Sequence, residues 1–201
     1  MATSNWWHRT ETQFAPRAWT RGAEKNATLA GKRAFDVALS VTGLCLGMPL
    51  MAVGAAAVCL ESGGSVLTRT RCWGREGRIF ERLRLRTTDR LGRMTWAGRV
   101  LCRLGIDGLP QLVNVLRGEM SIVGAAPVPA GGCDETAVRH LRRFESLPGI
   151  TGLWALGSCL GDVPVREYFA PDEFYRMNWS PWLDLAMVAR TLGAVASGAD
   201  F

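Results

Sequence analysis

Hydrophobic and polar positions divide the chain into segments of different period. From Val37 to Leu60 almost every side chain is apolar, with Ser40 and Thr42 the only polar ones. A run of that length is enough to cross a bilayer once as a helix, whereas a core helix of a soluble protein usually keeps a polar face. Pro49 falls near the middle, removes one backbone hydrogen bond and predicts a kink or break. The segment therefore either spans a membrane or enters, bends and leaves on the same side.

Residues 65–86 read as a β-hairpin, with Gly74-Arg75-Glu76-Gly77 as its turn. On the second strand Ile79, Leu83 and Leu85 fall on one face, and Phe80, Arg82, Arg84 and Arg86 on the other. The arginine face is either a solvated surface or a cationic wall for phosphates. A short helix follows over 93–104, carrying Arg93, Arg99 and Arg103.

Leu109, Leu112, Val113 and Leu116 then recur at helical spacing, Pro110 suits the first turn, and Gly118 is placed to end the helix. Asp107 precedes that helix start, where free backbone N–H groups favour negative charge. Alone, such an Asp reads as support for the helix end. Residues 128–146 look like an insert with a basic helix around Arg139, Arg142 and Arg143. Near the C-terminus Ser180 is a good N-cap and Pro181 a good first helical residue. Trp182, Leu185, Ala189 and Leu192 share one face of that helix, either core or a stripe at a membrane interface, and the tryptophans at its start favour the interface.

Residues 1–31 are polar and without helical period, and predict a flexible tail, with Trp6, Trp7 and Trp19 in it and no apolar stretch of the signal-peptide kind. The 201 residues suffice for one domain with a real core, and the charge of +6 suits an anionic membrane surface, a nucleotide diphosphate or nucleic acid. A nucleic-acid partner is disfavoured, because no binding motif or aromatic–basic interleaving accompanies the charge and the apolar run has no role there. Cysteines 45, 59, 72, 102, 133 and 159 have no metal spacing and read as reduced, mostly buried thiols of a cytosol-facing protein. His8 and His140 are too few and too far apart for a histidine metal site.

Several longer motifs run through the chain. They are Lys32-Arg33-x-Phe-Asp36, Arg82-Leu83-Arg84, Leu109-Pro-Gln-Leu-x-Asn-Val-Leu-x-Gly118, Met120-Ser-Ile-Val-Gly124, Pro148-Gly-Ile-Thr-Gly-Leu-Trp154, Asp172-Glu173 and Asn178-Trp-Ser-Pro-Trp-Leu-Asp-Leu185. Together they resemble the bacterial sugar transferase family, the monotopic polyprenyl-phosphate phosphoglycosyl transferases, over about residues 32–200. The resemblance implies an α+β, mostly helical fold with a small β-hairpin and amphipathic interface helices. It implies one transferase domain over 32–201, whose membrane element, 34–61, is a re-entrant helix hairpin bent at Pro49. Lys32 and Arg33 would sit at the headgroups of the cytoplasmic face of a bacterial inner membrane.

The implied reaction moves a phospho-sugar from a nucleotide diphosphate sugar to polyprenyl phosphate, in exopolysaccharide, O-antigen or other glycoconjugate synthesis. Asp107 takes the nucleophile's position. Arg82 and Arg84 take those of the phosphate-binding residues, with Arg69 and Arg103 as further candidates, and Mg²⁺ is the implied cofactor. The chain departs from the family pattern at the chemistry. Gly108 stands where the catalytic pair has its Glu; Thr70, Cys72, Cys102 and Ala126 replace a Gln and three arginines; Met48 replaces a Ser before Pro49, and Ala155 replaces a Gln after Trp154. Glu119 and Asp134 are spare acids. Two readings follow: a transferase working through Asp107, or a catalytically silent relative that scaffolds or regulates polysaccharide assembly.

Overall fold

A computed structural model describes residues 22–62, 64–131, 146–158, 172, 174–175 and 177–197. Most of the N-terminal tail, the basic helix around Arg139, Arg142 and Arg143, Asp134, Glu173, both histidines, Cys133 and Cys159 lie outside them.

The longest element is helix α1, Gly22–Ser62, of 41 residues and about 60 Å. It stays helical through Pro49, and the expected hairpin is not shown. Packing on both sides of the proline accounts for this. Gly43, Gly47 and Gly54 lay α1 against Leu112, Leu109 and Leu101, where a Cβ would come within 3.0, 2.9 and 2.7 Å of those side chains. The opposite side shows Leu46, Met48, Leu50, Val53 and Leu60 to the outside. Only 17% of the most apolar stretch is buried, so α1 is no core helix.

Both ends of α1 are tied to the rest of the chain. At the entry, Lys32 Nζ reaches Asp184 Oδ2 at 2.7 Å and Tyr175 Oη at 3.1 Å, and lies over the rings of Tyr175 and Trp179. Arg33 donates to the carbonyls of Val115 and Leu116, and Asp36 accepts from Ser121 Oγ at 2.8 Å and Ile122 N at 3.0 Å. Lys32 and Arg33, expected at lipid headgroups, are thus engaged inside the protein. Their partners lie up to 152 residues away, beyond the reach of local pattern. At the exit, Glu61 accepts from the N–H groups of Trp96 and Ala97, both at 2.9 Å. These donors have no intrahelical partner at the start of helix α2, Trp96–Arg103.

The hairpin forms as expected. Strands β1, Leu67–Trp73, and β2, Ile79–Leu85, pair antiparallel with Cys72 opposite Phe80 and Thr68 opposite Arg84. The turn is a 3₁₀ helix, Arg75–Gly77, with Glu76 and Gly77 at positive φ. The face bearing Arg82 and Arg84 points inward, since Phe80 on the same face is buried in the core. On the other face Ile79 is exposed, while Leu85 packs against Val58 and Leu101.

Helix α3, Gln111–Arg117, ends at Gly118 with φ +82°, as read from the sequence. Strand β3, Ser121–Val123, pairs in parallel with β5, Gly149–Thr151, while β4, Val128–Pro129, adds to β1. The glycines of the 148–154 motif serve this pairing: a Cβ on Gly149 would lie 2.2 Å from Gly124 N, so only glycine lets the two backbones meet. A short helix α4, Leu153–Ser158, follows. The last helix, α5, Pro181–Ala196, is capped by Ser180, whose Oγ accepts from Leu183 N. It buries Leu183, Asp184 and Met187 and exposes Trp182, Leu185 and Leu192, so the proposed stripe is not core. Cys45, Cys59, Cys72 and Cys102 are all free thiols, but Cys45 and Cys59 are exposed on α1 rather than buried.

Candidate active site

Asp107 sits in a single 3₁₀ turn, Ile106–Gly108, between α2 and α3. Gly105 enters the turn at φ +65°, a left-handed conformation that glycine adopts without strain. The carboxylate is 3% exposed and pairs with the guanidinium of Arg84, which itself is 39% exposed. The accessible part of the pair is therefore the cation.

Arg84 reaches Asp107 because α3 is fastened to the free edge of β2. The fully buried Asn114 accepts from Leu83 N at 3.1 Å and donates to Glu81 O at 2.7 Å, taking the bonds of a missing neighbouring strand. Its amide also donates to Glu119 at 2.6 Å, which places that spare acid beyond the far end of α3 from Asp107. Asn114 is marked in the sequence only by its place within the 109–118 motif, and its partners are not marked at all.

Arg82 lies two residues before Arg84 on the same strand face, and its Nε is buried without a partner. Burial lowers its pKa; the Cys72 thiol and Asp107 oppose that, while Arg84 adds to it. Cys72 is completely buried beside it. Cys102 is half-buried near Asp107, and burial and then the Asp107 charge push its thiol up, so it stays protonated at neutral pH. Arg82, Arg84, Asp107 and Cys102 are thus brought together. Arg103 is exposed at the end of α2. Arg69 lies on the other face of the hairpin, opposite Leu83, and pairs with Glu81 at 3.4 Å. Ala126 donates its N–H to Asp172 at 3.2 Å.

The donors around Asp107 do not suit Mg²⁺. Mg²⁺ takes oxygen ligands, most often carboxylates with water and phosphate. No cluster of three His, Cys, Asp or Glu exists among the described residues. Gly108 offers no ligand, and the atom nearest a Cβ there is Gln111 Nε2 at 3.3 Å, the donor end of an amide. The one carboxylate is already paired with a guanidinium.

Next to this turn is an apolar groove of about 250 Å³, with Gly43, Leu46, Gly47 and Leu50 of α1 on one side and Leu104, Gly105, Ile106 and Leu109 on the other. It joins the exposed apolar side of α1 to the backbone that carries Asp107.

The chain is similar to known proteins over most of its length. The family described as bacterial sugar transferase matches residues 27–198. The exopolysaccharide production protein ExoY of Rhizobium meliloti is 36% identical over 195 residues, covering 82% of this chain and 84% of that protein. The UDP-glucose:undecaprenyl-phosphate glucose-1-phosphate transferase of Caulobacter vibrioides is 36% identical over 181 residues, covering 80% and 68%. The undecaprenyl-phosphate glucose phosphotransferase of Komagataeibacter xylinus is 36% identical over 185 residues, covering 80% of this chain and 35% of that protein. With nearly its whole length matched, the chain belongs to the bacterial sugar transferase family.

Proposed function

We propose that this chain is a membrane-seated phosphoglycosyl transferase that moves a phospho-sugar from a nucleotide diphosphate sugar to polyprenyl phosphate in exopolysaccharide or related synthesis. The observation that carries the reading is a buried carboxylate, Asp107, paired with an accessible arginine beside an apolar groove on the membrane helix. The names of the relatives supply the substrate classes, a UDP-sugar and undecaprenyl phosphate.

In this mechanism the diphosphate enters along the arginine face of β2. Its oxygens draw Arg84 away from Asp107, and Arg82 offers a second charged donor. A carboxylate oxygen of Asp107 attacks the sugar-proximal phosphorus. The bond to the bridging oxygen breaks, and nucleoside monophosphate leaves with that bond's electron pair. Arg82 and Arg84 offset the charge that gathers on the phosphoryl oxygens. A polyprenyl phosphate oxygen then attacks the same phosphorus, releasing polyprenyl-diphosphate sugar and restoring the carboxylate. The lipid's first isoprene units lie in the apolar groove, which brings its phosphate to the Asp107 turn.

The seat is one-sided. Lys32 and Glu61 flank the apolar part of α1 and bond to partners in the same body of protein, which supports a helix that leaves the bilayer on the face it entered, the cytoplasmic one. Trp96, Trp182 and Leu185 are exposed apolar residues suited to the interface of that leaflet. The reading is tested by placing the chain in nanodiscs with undecaprenyl phosphate, Mg²⁺ and a panel of UDP-sugars and assaying UMP. Multiple-turnover release that requires both substrates is expected, with at most one UMP per chain when the lipid is left out; none with any sugar contradicts the reading and leaves the silent-relative alternative.

A further inference from the structure

We infer that the site of this chain binds the diphosphate of its nucleotide sugar through Arg82 and Arg84 alone, without a divalent metal. The inference rests on the reading above for the ligand's class, and on the charges around Asp107 for its mode of binding.

Among the described residues, two arginines two residues apart on β2 face one carboxylate, so these ionised side chains leave a net charge of +1 for an incoming ion. That charge repels a dication and attracts a diphosphate. Accessibility points the same way. The carboxylate that would hold a metal is buried and already has a cation on it, whereas the Arg84 side chain is 39% exposed. Arg82 has a buried Nε with no hydrogen-bond partner, an unmet donor on the same strand face. A guanidinium fork matches two phosphate oxygens at once. A metal would have to displace Arg84 from Asp107 and shed water for a single carboxylate, with an amide NH₂ where a second carboxylate would be needed. Cys102, on the other side of Asp107, holds a protonated thiol, a poor ligand for a hard cation.

The position of Gly108 makes the inference testable in both directions. Its φ is not positive, and the only atom within 4 Å of an added Cβ is Gln111 Nε2 at the far end of a side chain, so Gly108→Glu fits the backbone.

The test is calorimetric titration of the full chain in detergent with UDP-glucose, in Mg²⁺ and then in EDTA, independent of turnover. We expect dissociation constants within twofold of each other. Arg82→Gln and Arg84→Gln should each weaken binding at least tenfold, and Arg84→Lys, which keeps the ion pair with Asp107, should lose less. Gly108→Glu should make binding weaker in EDTA than in Mg²⁺ by fivefold or more. Tenfold weaker binding of the unmodified chain in EDTA, or no binding in either buffer, would overturn the inference. Binding indifferent to EDTA in a chain that releases no UMP would uphold it while the transferase reading falls; turnover with Mg²⁺-dependent binding would do the reverse.

Discussion

Lys32 Nζ lies 2.7 Å from Asp184 Oδ2, joining the long apolar helix α1 to the last helix, α5. Asp184 is 2% exposed, and Trp179 Nε1 also donates to it, at 3.0 Å. The Tyr175 hydroxyl is 2.6 Å from its other oxygen; burial, and then that carboxylate, hold the hydroxyl well above its ordinary pKa, so it remains a donor. Removing one partner of a buried pair leaves the other charged and uncompensated. Lys32→Met should therefore cost about 3 kcal/mol, the lower end for such pairs because two neutral donors remain. Lys32→Met with Asp184→Asn should recover much of that loss. Thermal unfolding in detergent checks both; an unchanged Tm in Lys32→Met would mean that Lys32 serves the lipid headgroups instead.

Asn114 is the clamp between β2 and α3. Asn114→Ala should cost roughly 3 kcal/mol, since Leu83 N and Glu81 O lose their partners together. Because β2 carries Arg84, the same change should lower turnover in protein that is still folded. Wild-type turnover in folded Asn114→Ala would separate the clamp from the site.

The elements fixed by near neighbours were legible in the sequence. The Pro110 start and Gly118 stop of α3, the hairpin turn and the Ser180 cap each depend on residues within a few positions, and each is found where the pattern puts it. What the pattern hid are bonds between distant segments. Lys32 and Arg33 have the composition of a headgroup anchor, yet their partners sit on α5 and α3. Arg69 is a candidate through the resemblance, but the hairpin's register puts it on the face away from Asp107, and only tertiary packing decides which face turns inward. The family's pattern supplied Asp107, Arg82 and Arg84 as a set. It could not supply the Cys102 thiol on Asp107 or the Asn114 amide on β2, because a letter in a motif does not name its partner.

Cys72 and Cys102, at positions where the resemblance expects arginine, should behave differently. Cys72 is 0% exposed in the core, so Cys72→Arg buries an unpaired cation beside Arg82 and should unfold the protein or lower its Tm by many degrees. Cys102 is half-buried and touches Asp107, so Cys102→Arg can reach the carboxylate and keep the fold. Paired with Gly108→Glu, it should raise UMP release above that of either single variant. Equal Tm for Cys72→Arg and Cys102→Arg would contradict this placement.

The topology of α1 gives a prediction by labelling. Single cysteines engineered beside Lys32 and beside Glu61, in a variant lacking Cys45 and Cys59, should react with a membrane-impermeant maleimide from the same side of sealed vesicles. Reaction from opposite sides would show a true span. Such a span would require one of the two ends to leave its partners, Asp184 or the start of α2.

The central claim is that Asp107 becomes covalently bonded to phosphorus. Its most direct measurement is intact-mass and peptide mass spectrometry of the chain after brief exposure to the UDP-sugar that supports UMP release, without polyprenyl phosphate. A mass increase equal to one phospho-sugar is expected on the peptide containing Asp107, discharged when undecaprenyl phosphate is added and absent in Asp107→Asn, which should also lose about a thousandfold or more in turnover. Normal UMP release by Asp107→Asn, or an adduct on any other residue, would contradict it.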